Sequence, residues 1–217
     1  MRSTAAGASC SASRSISSSR TRAPETVESA SSATAAVERM HDLGLDRALD
    51  TALDADPELV ASASLGAAAI GGDRALASLA ALVAEAPDAL DNWLDSLQLE
   101  ARDRIAVARA ARSAPEIVAQ LRERERMPSE LRDLFVAEPP EALALALALG
   151  APSEPILRWV TDLSGVRLEI GGADLLAQGV PEGPALGRAL EETLRRKLDG
   201  FVHGRDDELR TALELAR

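Results

Sequence analysis

A chain of 217 residues with 46% hydrophobic side chains is long enough to bury one substantial core or two small helical ones. Aromatic residues make up only 2% and tyrosine is absent, so the core must be leucine, alanine and valine, which suits close-packed helices better than a sheet. The net charge of −11 excludes a surface that grips nucleic acid all over and leaves room for no more than a local, salt-sensitive basic strip.

Residues 1–33 are a different material from the rest. Eleven serines and four arginines fall within 1–32, no acid precedes Glu25, and no hydrophobic period runs through the segment. Such a stretch cannot bury enough apolar surface to order itself, and it reads as a disordered tail. An acid-poor, Ser/Arg-rich start also suits an organellar transit peptide. The strong bias to arginine, with Lys197 the single lysine, reads instead as GC-rich bacterial coding. That favours a tail or a misplaced start, and a cytoplasmic location. The lone Cys10 in this segment excludes a disulfide framework and a cysteine-based metal site.

From Thr34 the pattern turns helical. Val37, Met40, Leu43 and Leu45 recur at helical spacing until Gly44 interrupts them. Asp56-Pro57 predicts an N-cap and first helical position for a helix through Leu59, Val60 and Leu65. Gly71-Gly72-Asp73 then separates it from a helix with Leu76, Leu79, Leu82 and Val83 as its buried stripe. Further helices are expected over 87–98, 100–112 and 115–125. The charged run RERERMPSEL at 122–131 marks a boundary between a helical body, 34–126, and a second helical domain, 127–217.

EPPEALALALALG at 138–150 alternates like a strand, yet Pro139-Pro140 suits a helix start, Ala and Leu lead the helix scale, and Gly150 supplies a stop. Its apolar run, Ala142 to Leu149, is far short of the ~18–20 residues of a membrane span, so no membrane association is expected. A helix carrying Ile156, Leu157, Trp159, Val160 and Leu163 follows, then VRLEI at 166–170 as a short extended link. The expected fold is all-α: an irregular array of about ten to twelve short helices behind a disordered tail.

Several patterns imitate active sites. DAD at 54–56 resembles paired metal-binding aspartates, but it sits between a helix and Pro57, where capping explains it. GGDR at 71–74 follows a helix with no strand before it and reads as a turn. His41 and His203 have no partner spacing for a metal. No catalytic or metal-ligating residue is assigned.

GGADLLAQGVPEGPALGRAL at 171–190 holds five glycines and two prolines. Asp174 is a cap candidate for a short helix with Leu175 and Leu176, and Gly179 fits a left-handed stop. Pro184 opens a longer helix with Leu186, Leu190, Leu194 and Leu198 inward. Two readings remain open at this point. The glycines let two helices cross closely, or they clear the start of the second helix, whose amides can receive a phosphate. On that helix Glu191–Arg195 and Glu192–Arg196 have the spacing of ion pairs, and Asp206, Asp207 and Glu208 open the last helix.

The run IGGADLLAQGVPEGPALGRALEETLRRKLDG at 170–200 resembles the closing segment of the family of CCA-adding tRNA nucleotidyltransferases and bacterial poly(A) polymerases. Gly172, Asp174, Leu175, Gly179, Gly183, Pro184, Gly187 and Leu190 match its pattern in one register. The sequence departs from it at Ala173, where lysine is common, and at Pro181-Glu182, which removes positive charge. The resemblance extends over 128–217 and, more weakly, back to Ala36. It implies helices that receive tRNA, with RNA-binding candidates at Gly172, Asp174, Gly179, Gly183, Pro184 and Gly187 in the hairpin. Arg188, Arg195, Arg196 and Lys197 on the following helix are candidates as well.

The family's catalysis resides in a sheet-containing head with two metal-binding aspartates. No such head precedes residue 36 here, so the chain is expected to dock tRNA, modestly and salt-sensitively, without transferring nucleotides alone. CTP, ATP and Mg2+ are implied for the intact family enzyme and no cofactor for this chain. The alternatives are a stand-alone helical protein-interaction module that binds a protein partner or its own copy, and an RNA-binding subunit paired with a separately encoded head seated on 34–125.

Overall fold

The computed structural model describes Ala35, Arg39, Asp42, residues 56–84, 94–95 and 97–216. The tail 1–33, the stripe Val37, Met40, Leu43 and Leu45, and most of the helix expected over 87–98 lie outside the described residues. Within them the fold is all-α, with no strand.

Both aspartates near the false metal and phosphate motifs are caps. Asp56 accepts from the Glu58 amide at 2.9 Å and opens α1, Pro57–Ile70, with proline at its first position. Gly71 closes α1 at φ +82°, a left-handed conformation that glycine adopts without a Cβ penalty. Asp73 then accepts from Ala75 and Leu76 at 2.8 and 3.1 Å and opens α2, Arg74–Leu82.

The two helices expected over 100–112 and 115–125 are one, α3, Ala101–Glu123, with Pro115 inside it. The buried stripe runs unbroken past the proline, from Val107, Ala110, Ala111 and Ala114 to Ile117, Val118 and Leu121. Pro115 itself is exposed. Tertiary packing of that face outweighs the local breaker.

Helix α4, Pro128–Phe135, leads into α5, Pro140–Ala148, whose Ala/Leu run is helical and buried from Glu141 to Ala146. Helix α5 packs against α1, α2 and α3. Alanines and glycine make that approach close: a Cβ added at Gly66 of α1 would lie 3.3 Å from the Ala144 carbonyl of α5. This large core draws on both sides of residue 126, with Leu131, Phe135 and Leu145 in one cluster with Val107 and Ile117.

Helix α6, Ser153–Arg158, runs on into a π-helical turn, Trp159–Leu163, closed by the Ser164 amide on the Trp159 carbonyl at 2.8 Å. Trp159 meets Phe135 of α4 with ring centroids 6.1 Å apart. Residues 166–170 then form the expected non-helical link. The chain ends with α7, Gly172–Ala177, α8, Pro184–Leu198, and α9, Gly204–Leu215. These three gather around a second, smaller cluster centred on Ile170, Leu175 and Ala212.

Candidate functional site

The hairpin of α7 and α8 is built much as its sequence suggests, with one change of role. Gly171, not Asp174, is the N-cap of α7. Asp174 lies in the first turn and reaches back, its carboxylate accepting the Gly171 amide at 2.8 Å. Its other oxygen receives Arg205 of α9 at 2.5 Å, and Arg205 also donates to the Glu169 carbonyl at 2.9 Å. The Gly171 amide, and after it the Arg205 guanidinium, hold the Asp174 carboxyl below the usual carboxylate range. Asp174 therefore ties the hairpin to α9.

Gly179 stands at φ +86°, and the Gly179 and Val180 amides donate to the Leu176 and Leu175 carbonyls at 3.0 and 3.1 Å. That is the paired closure of a helix whose stop residue must be left-handed. A Cβ at Gly172 would lie 3.3 Å from Leu186 of α8, so the close-crossing reading holds there.

It does not hold at Gly183 or Gly187. Apart from the adjacent residues and the helix's own backbone, no described atom lies within 4 Å of a Cβ added at either position. Gly183 has φ 160°, extended backbone open to any residue, and Gly187 is an exposed position inside α8. With Pro184 and Arg188, which are also exposed, they make a smooth surface at the positive end of the α8 dipole. The amides there are fewer than expected: Pro184 has none, and Leu186 donates to the Gly183 carbonyl at 3.1 Å.

The basic residues of α8 are divided by their partners. Arg188 is exposed and pairs with no described residue. Arg195 binds Asp133 of α4, and Arg196 pairs with Glu192 at 3.2 Å as its spacing predicts. Glu191 does not take Arg195 but Arg132 of α4, at 2.6 Å, because α4 packs alongside and offers an opposite charge. Lys197 turns inward. Its ammonium lies 2.6 Å from Glu208 and 2.9 Å from the Arg167 carbonyl. Arg195 and Arg196 are about 17 Å along α8 from Pro184, at roughly 1.5 Å per residue. The candidates thus form two groups on one helix, and Lys197 is a structural tie.

Two further residues have roles that sequence reasoning did not reach, Glu208 being legible only as an acid opening the last helix. Glu208 is fully buried, and besides Lys197 its carboxylate receives the Glu169 and Ile170 amides at 2.7 and 3.3 Å. Asp199, at the end of α8, accepts the Ser129 amide and hydroxyl, both at 2.8 Å, and so caps α4 from 70 positions away. The signal for Asp199 was indirect: α4 starts after Met127, which cannot cap a helix. Among the described residues, no three His, Cys, Asp or Glu side chains form a group that could hold a metal ion.

No protein-family model matches the chain, and no solved structure matches it. A stretch of 58 residues is 41% identical to an A-adding tRNA nucleotidyltransferase of Geobacter sulfurreducens. The match covers 27% of this chain and 7% of that relative's length. It supports a weak link to the tRNA nucleotidyltransferases.

Proposed function

We propose that the helical region is a tRNA-docking element of the tRNA nucleotidyltransferase type, with RNA approaching the exposed start of α8. The observation that carries this is the pair Gly183 and Gly187. An exposed glycine inside a helix costs about 1 kcal/mol relative to alanine. Gly187 bears that cost with no left-handed backbone and no internal neighbour to require it. A backbone kept bare towards solvent suits a ligand that comes close from outside. Arg188 beside it, exposed and without a described partner, can meet a phosphate there. The identity with an A-adding tRNA nucleotidyltransferase makes tRNA the first ligand to test.

The full chain is titrated with tRNA lacking its 3′ terminus, at low and moderate salt. Affinity falls as salt rises. Gly187→Gln, which keeps the helix but fills the approach, lowers affinity about tenfold, the equivalent of one charge-assisted contact. Equal affinity for Gly187→Gln and the parent chain removes the hairpin as the docking surface. Adding CTP, ATP and Mg2+ to the same mixture tests catalysis, and nucleotide incorporation by this chain would contradict a purely docking role. A second reading, a separately encoded head seated on the body, is favoured by Ile105 of α3, a large apolar side chain left 62% exposed.

A further inference from the structure

Phe201 follows α8 directly, and its ring is 70% exposed, although the chain has very few aromatic residues. Among the described residues it is the one exposed aromatic ring: Phe135 is buried and Trp159 packs against the core. The backbone there would allow Phe201 to fold away. Gly200 is left-handed at φ +80°, and the Phe201 amide donates to the Arg196 carbonyl at 2.8 Å. In this helix-ending motif the residue at the Phe201 position commonly packs back on the last turn. Here it stands out instead. With Met127, itself 46% exposed, it borders an open hollow of about 550 Å3 whose remaining wall is polar: Ser129, Glu130, Arg195 and Arg196, with Glu192 and Asp199.

The mixture of surfaces limits what can fill the hollow. A dry apolar anchor from a protein would strip water from the charged groups that share the wall with apolar surface, which is costly. A nucleobase has a flat apolar face for the ring and a hydrogen-bonding edge for the polar wall. The guanidinium groups can donate to ring nitrogens and carbonyls, and carboxylates can accept from exocyclic amines. Every charged group in the wall already has a protein partner, so stacking rather than phosphate attraction would supply the affinity. We infer that the hollow between Met127 and Phe201 receives one unpaired base of an RNA, with Phe201 as its stacking face. This rests on the docking reading above and adds a second contact at the opposite end of α8.

The test compares the full chain with Phe201→Ala and Phe201→Trp, titrated with tRNA lacking its 3′ terminus and with a fully paired RNA duplex. Phe201→Ala lowers tRNA affinity about tenfold, as loss of one base–aromatic stack does, and leaves duplex affinity unchanged. Phe201→Trp keeps tRNA affinity, and its added emission, taken as the difference from the parent chain, is quenched by tRNA. The exposed ring makes loss of fold an unexpected outcome, and circular dichroism of Phe201→Ala checks it. If the parent chain binds tRNA and Phe201→Ala binds it equally, the stacking inference falls while docking stands. If the parent chain binds no tRNA even at low salt, both fall. If Phe201→Ala instead abolishes self-association seen by sedimentation, the hollow is a protein contact and the inference is overturned.

Discussion

Five glycines fall between positions 171 and 190, and different forces act on them. Gly179 is required by its own backbone, Gly172 by Leu186, and Gly171, Gly183 and Gly187 by nothing inside the molecule. Gly187→Ala should therefore raise the free energy of unfolding by about 0.5–1 kcal/mol in urea denaturation, the ordinary helix-interior difference. A loss of stability would mean that Gly187 has an internal role after all. Acids at helix starts behave alike at this scale: Glu130, Asp174 and Asp207 each accept the amide of the residue just before their helix. Glu130 is strongly perturbed. The Arg124 guanidinium first, and then the Met127 amide, pull its pKa down to about 2. A carboxyl depressed on folding contributes stability that is present above its unfolded value and lost as pH falls through the folded one. Carbon NMR of the Glu130 carboxyl should show no titration near pH 4.5 and a midpoint near 2. In Glu130→Gln, stability should vary less with pH across that window.

At the scale of elements, the caps were legible and the lengths less so. Asp56-Pro57, Gly71, Asp73, Gly150, Gly179 and Pro184 all mark helix ends where local chemistry puts them. These signals are short-range, acting between residues two to five apart. Pro115 misled because its effect depends on what the rest of the helix buries. It removes one intrahelical hydrogen bond, yet α3 continues since seven of its side chains are buried against neighbours on both sides of the proline. Pro115→Ala restores the missing donor at an exposed site. Thermal unfolding should show α3 more stable, by up to about 3 kcal/mol. A destabilised variant would show that the proline ring itself is needed. The Ala/Leu alternation of α5 is the converse case: period 2 suggested a strand, and helix propensity with a proline start and a glycine stop decided correctly.

For the whole molecule, the decisive contacts join distant parts of the chain. Lys197 and Glu208 face one another only because α8 and α9 pack side by side, and the same carboxylate holds the link at Glu169 and Ile170. Removing the buried Glu208 carboxylate leaves the Glu169 and Ile170 amides without their acceptor, at about 1–3 kcal/mol for each buried donor, while Lys197 keeps the Arg167 carbonyl. Glu208→Ala should lose amide-exchange protection around α7 and α9, while α1, α3 and α5, which belong to the larger core, keep theirs. Equal loss throughout would show that the two clusters unfold as one.

The sequence alone determined the all-α class, most helix ends, the hairpin at 171–190 and the resemblance that points towards tRNA. Each depends on composition, on periodicity or on neighbours within a turn or two. Only the tertiary structure decided which charges remain available. It turned Lys197 inward to Glu208, matched Arg195 with Asp133 and Glu191 with Arg132, and left Arg188 outward. It also showed that a side chain at Gly183 or Gly187 would meet open space, and that Phe201 stands clear of the core. Ion pairing and exposure are set by which helices lie side by side, and spacing along one helix carries no record of its neighbours.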